Sequence, residues 1–130
     1  MHSSKRMFSS SDGGPFTLGL ASDNGGEHID PRRTDVLATT DSQPGGRYIC
    51  LITLSATSLD DSKAMFEIQR RDATDDEDNP IESAVVAVPV DDCRQFQFAF
   101  SLKDNERITV VPYVDLIGTL TAAINWQRIS

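Results

Sequence analysis

The sequence predicts an all-β domain, a sandwich or barrel, behind an extended N-terminal arm. Two observations carry that expectation. From residue 47 onward, runs of alternating apolar and polar residues follow one another with short polar loops between them, and no segment has the apolar spacing of a long helix. Residues 1–46, by contrast, hold seven of the eight glycines and three of the six prolines; only 11 of their 46 positions are apolar, against 39 of the 84 that follow. A segment so poor in apolar side chains cannot offset its own chain entropy by burial. It is expected to be an arm, with the folded domain starting at residue 47.

The arm is not a plain linker. Apolar clusters interrupt it at Met7-Phe8, Phe16-Thr17-Leu18-Gly19-Leu20 and residues 35–40. They read either as docking points for another surface or as accidents of a disordered tail, and one of the last two clusters could complete a sheet. Fully extended, such an arm spans about 150 Å at roughly 3.3 Å per residue, enough to reach beyond its own subunit. Its positive charges are Lys5-Arg6 and Arg32-Arg33. The candidate partner-binding residues are therefore Phe8, Phe16, Leu18, Leu20, Arg32 and Arg33. The two arginines either meet an acidic surface or stay solvated.

In the second segment, residues 47–56 form a β-rich run bounded by Pro44-Gly45-Gly46 and Asp60-Asp61. Residues 64–73 fit a strand through Phe66 and Ile68, or a short helix capped by Ser62; the strand is preferred. Residues 82–90 are a valine-rich strand ending near Pro89. Residues 95–102 alternate strictly, with Phe96, Phe98, Phe100 and Leu102 on one face. Lys103-Asp104-Asn105-Glu106 is a polar turn, and residues 107–114 return as the hairpin partner, where Pro112 indicates an edge or a bulge. The closing run 119–129 places Leu120, Ala122, Ile124 and Trp126 on one face. The expected core is Phe96, Phe98, Phe100, Ile108, Val110, Leu120, Ile124 and Trp126.

Charge and motif content narrow the function. A net charge of −8 with no basic stripe disfavours nucleic acid. The apolar runs are too short for a membrane span, and no apolar stretch follows the basic residues of the N-terminus, so no secretory leader is expected. Cys50 and Cys93 stand 43 positions apart and read as two buried thiols. GxSxG, HExxH, GxxxxGK[ST] and GxGxxG are absent, and His2 and His28 both lie in the arm. Neither catalysis nor a cofactor is expected. The acidic run from Asp72 to Asp78 lacks calcium-loop spacing and reads as an exposed hairpin loop in which Asp75, Asp76, Glu77 and Asp78 bind no metal. Trp126 and Tyr113 could stack on sugar, although core or interface packing is preferred for both.

Pro44-Gly45-Gly46-Arg47-Tyr48, the aromatic strand at Phe96–Phe100, the polar turn and the strand after it resemble the small jelly-roll modules of the tumour-necrosis-factor and C1q-like type. At the level of design, an acidic jelly roll with a Gly/Ser/Pro-rich arm is similar to the cement, or decoration, proteins on tailed-bacteriophage heads. That resemblance implies a jelly-roll β-sandwich that stabilises a capsid from outside by multivalent contacts. It further implies the major capsid protein as partner, a homo-oligomer (dimer or trimer), and a place on the virion exterior after assembly in the host cytoplasm. The alternative is a trimeric C1q-like or carbohydrate-binding head module of a fibre.

Overall fold

The computed structural model describes residues 21–22, 25–72 and 80–129. Among these described residues nine strands run in order: β1 (Ala21–Ser22), β2 (Gly26–Ile29), β3 (Ala38–Thr39), β4 (Gly46–Thr57), β5 (Lys63–Asp72), β6 (Glu82–Pro89), β7 (Asp92–Leu102), β8 (Glu106–Pro112) and β9 (Thr119–Arg128). They form two antiparallel sheets, the layers of a jelly-roll β-sandwich. In the first, β9, β4 and β7 lie side by side, with β1 and β2 paired to the outer edge of β9. The second has the order β3-β8-β5-β6.

Alternation along each strand sets which face is buried. On β4, Tyr48, Cys50, Ile52, Leu54 and Ala56 point inward; Cys50 lies in register between Phe98 of β7 and Trp126 of β9, and Ile52 between Phe96 and Ile124. The opposing sheet contributes Phe66 and Ile68 of β5, Ile108 and Val110 of β8, and Val88 of β6. Every expected core residue is buried here except Phe96, which is partly buried against the same cluster and stacks parallel to Phe98 with centroids 6.1 Å apart.

Residues 64–72 are strand and not helix, because Ala64, Phe66 and Ile68 meet the core at period two. Pro112 pairs with Phe66 beyond Val110, the last β8 residue that β3 reaches, so its missing N–H interrupts no ladder. The Pro44-Gly45 corner is tied from three sides. The Tyr48 hydroxyl donates to the Pro44 carbonyl at 2.7 Å, the Gly45 N–H to Asp104 Oδ1 at 2.6 Å, and Arg128 Nη2 to the Gly45 carbonyl at 2.8 Å.

Three expectations are corrected. The sandwich takes in residues 25–46, which composition assigned to the arm: β2 pairs with β9, β3 pairs with β8, and Leu37 and Ala38 are buried. A segment too polar to fold alone is stabilised here by backbone bonds to the second sheet, such as Leu37 N–H to the Val110 carbonyl at 2.8 Å and Thr40 N–H to the Ile108 carbonyl at 2.9 Å. Of the two clusters that could complete a sheet, 36–40 does so, and 16–20 lies outside the described residues. Cys93 is exposed while Cys50 is buried, because the two fall on opposite faces of the first sheet. Glu106 is no solvated turn residue. It is buried at the start of β8, accepts the Lys103 N–H at 2.8 Å, and lies 3.7 Å from Arg70 Nε. Arg70 also lies 3.7 Å from Glu82 and donates to the Ser101 carbonyl at 2.8 Å, which ties the second sheet to the first.

Three outcomes follow from this packing. Phe98→Ala is expected to cost about 3–5 kcal/mol, as other large-to-small changes at buried aromatics do; denaturant unfolding measures it. Glu106→Ala removes one of the two carboxylates beside the Arg70 guanidinium, and a loss of about 1.5–3 kcal/mol is expected by the same measurement. Burial raises the Tyr48 phenol above its ordinary pKa, against the opposing pull of Arg128. Tyr48 therefore contributes stability below the unfolded tyrosine pKa, and that contribution is lost as pH rises through the folded value. Denaturant titrations at neutral and strongly alkaline pH should show Tyr48→Phe costing about 1 kcal/mol at neutral pH and unfolding with a weaker alkaline dependence than the parent.

Candidate functional site

The outward face of the second sheet is built by the same alternation that fills the core. With Phe66, Ile68 and Arg70 inward, β5 turns Glu67, Gln69 and Arg71 outward; with Ile108 and Val110 inward, β8 turns out Arg107, Thr109 and Val111. Register aligns them in rows, Glu67 beside Val111, Gln69 beside Thr109, and Arg71 beside Arg107. Because β3 has only two residues, the segment ahead of it crosses this face as a loop and adds Arg33, Thr34 and Val36 as a wall. The result is a groove of about 370 Å³.

Its polar groups are held in place. The Gln69 side-chain oxygen accepts from Thr109 Oγ1 at 3.1 Å and from Arg71 Nη1 at 2.9 Å. The wall is anchored by Asp115, which accepts the Arg33 backbone N–H at 2.9 Å and pairs with the Arg32 guanidinium at 3.4 Å. Asp35 accepts the Arg32 N–H at 2.8 Å. Arg107 Nε is buried and has no hydrogen-bond partner among the described residues. Among the described residues, three arginines thus line the groove against one carboxylate, that of Glu67. A second depression, on the outer face of the first sheet, is lined by Gly25, Gly26, Thr53, Ala123 and neighbours, with Glu27 its one charged residue.

The six sequence candidates fare differently. Phe8, Phe16, Leu18 and Leu20 lie outside the described residues, as do Asp75, Asp76, Glu77 and Asp78 of the acidic loop and His2. Arg33 lines the groove, whereas the exposed Arg32 is engaged by Asp115 of its own chain. His28 is not in the groove; its Nε2 lies 3.1 Å from the Leu37 carbonyl. Trp126 packs in the core, but Tyr113 is 45% exposed. Its backbone N–H bonds to the Met65 carbonyl at 2.9 Å, and by alternation it continues the outward row of Arg107, Thr109 and Val111.

Glu67, Gln69, Arg71, Arg107 and Thr109 were missed by sequence reasoning. Their outward direction was readable from period two. That β5 neighbours β8 was not, since 33 residues separate the end of one from the start of the other. Among the described residues no three His, Cys, Asp or Glu side chains gather to hold a metal ion, and no helix is long and apolar enough to cross a membrane.

No protein-family model matches the sequence, and no curated protein matches it. Solved structures match the fold. The CBM22-1-GH10 modules of Clostridium thermocellum endo-1,4-beta-D-xylanase 10B, complexed with xylohexaose, align with 12% identity and a TM-score of 0.57 over 85% of this chain and 25% of that one. The chain thus spans about a quarter of that protein. The EclA C-terminal domain, a sugar-binding protein, aligns with 14% identity and a TM-score of 0.52 over 91% of this chain and 87% of that one. The globular domain of zebrafish complement 1qA aligns with 9% identity and a TM-score of 0.46 over 84% and 94%. At these identities the likeness is one of fold: the chain is a jelly-roll β-sandwich.

Proposed function

We propose that this chain is a non-catalytic binding domain that takes up a polysaccharide along the outer face of its second sheet. The observation that carries the reading is the groove itself, whose floor is the buried, mutually bonded pair Gln69 and Thr109 and whose sides carry Glu67, Arg71, Arg107 and Arg33; the half-exposed Tyr113 follows directly after β8. Strand-borne polar groups suit hydroxyl recognition, because each bond contributes only about 1 kcal/mol net and does so only when its geometry is held in advance. The two structures above with TM-scores over 0.5 were described with xylohexaose or as sugar-binding, which supports the same reading.

A second reading is a decoration protein on the outside of a phage capsid, held to the major capsid protein as a homo-oligomer. It draws on the apolar clusters of residues 1–20 and on Ile29 and Ile117, which are 73% and 62% exposed on adjoining segments at one end of the sandwich.

Affinity electrophoresis of the full chain through gels containing xylan, glucans, galactans and acidic polysaccharides separates the two. Retardation in at least one gel, weakened about tenfold by Gln69→Ala or Tyr113→Ala, is expected. No retardation in any gel, together with co-sedimentation with capsids that requires residues 1–20, would replace the first reading with the second.

A further inference from the structure

We infer that the groove selects an acidic polysaccharide, reading the carboxylate of a uronic acid unit with Arg71, Arg107 and Arg33. The inference rests on the polysaccharide reading above and adds the class of sugar.

Arg71 and Arg107 sit directly opposite each other on neighbouring strands, with their side chains on the same face. Like charges in that relation destabilise a sheet, and a third guanidinium, Arg33, lines the same groove. The one carboxylate lining it among the described residues, Glu67, lies two residues along the face from Gln69 and four from Arg71, level with Val111 instead of Arg107. The contrast with Arg70 is direct: the adjacent residue on β5, turned inward, has two carboxylates within 3.7 Å. The outward pair has none among the described residues. Arg107 Nε is buried without a hydrogen-bond partner among the described residues, as is Arg70 Nε, so the difference between the two arginines lies in the nearby carboxylates.

One ligand group offsets the charge repulsion. A carboxylate accepts two parallel N–H bonds from a guanidinium fork, and its charge relieves the repulsion between two facing arginines. Arg71 is already oriented by Gln69 Oε1. Glu67 remains for hydroxyls of the same or a neighbouring sugar unit, over a floor formed by the buried Gln69 and Thr109. The groove volume lies within the range of small-ligand sites, about 300–1,000 Å³, so it admits a short stretch of chain and not a folded partner. The net charge of −8 also matters, since the protein as a whole repels a polyanion. Attachment to one must come from a local cationic site.

The test uses the full chain and matched polymers. Polygalacturonate, alginate and hyaluronate are each titrated calorimetrically beside their methyl-esterified forms, which keep the backbone and lose the charge. At least one acid form is expected to bind about tenfold more tightly than its ester. Arg71→Gln and Arg107→Gln should each erase most of that preference, Arg107→Lys should retain part of it, and Lys63→Gln, a cation outside the groove, should leave it unchanged. Thermal melts of the variants report folding, and the two glutamine variants provide independent measurements. Equal affinity for acid and ester, or an acid preference that survives both glutamine variants, overturns the uronate assignment and leaves the polysaccharide reading standing. If none of these polymers binds and the neutral polysaccharides of the gel assay do, the uronate assignment likewise falls. Failure of every polymer in both assays removes the polysaccharide reading itself.

Discussion

The second sheet and the loops are arranged around one constraint, the pairing of β4 along nearly its whole length with β7 on one side and β9 on the other. Those three strands present a continuous apolar face, and burying that face requires a second layer of matching period. Phe66, Ile68, Ile108 and Val110 supply it. Once their direction is fixed, the direction of every intervening residue on β5 and β8 is fixed as well. The groove is in this sense a by-product of the core. A slip of β5 by one residue against β8 would send Gln69 and Arg71 toward the other layer.

Arg70 and Arg71 show how sharply period two divides chemistry. Arg70 ends the inward row, where solvent is scarce. Its guanidinium is matched there by Glu82, Glu106 and the Ser101 carbonyl. A charge in that place requires such partners, because desolvation without them costs more than a single ion pair returns. Arg71, one residue on, faces outward into a groove with other guanidiniums. Two identical side chains, adjacent in sequence, are a structural tie in one case and part of a groove lining in the other.

Much of the sandwich was legible because alternation is a local signal. The face of Phe96, Phe98 and Phe100, and that of Leu120, Ala122, Ile124 and Trp126, followed from counting by twos. The role of residues 25–46 was not legible, because β2 and β3 are held by partners far along the chain at 119–122 and 109–110. Composition measures what a segment can bury by itself, not what it gains by joining a sheet. Glu106 was misread for a similar reason. Its neighbours Lys103, Asp104 and Asn105 are solvent-exposed turn residues, and only the position of Arg70, on a strand not adjacent in sequence, explains its burial.

The short β3 and the proline of β8 bear on how the molecule keeps to itself. Beyond Val110 the outer edge of β8 has no partner strand among the described residues, and an unpaired edge is a template on which a second chain can add. Pro112 occupies that stretch and offers no N–H, so an incoming strand would find its hydrogen-bonding pattern broken at the point where pairing would begin to propagate. The loop through Pro31 and Arg33, pinned to Leu116 and Asp115, lies across the approach. The sheet can therefore expose a polar, ligand-sized channel without also offering a seam for edge-to-edge aggregation.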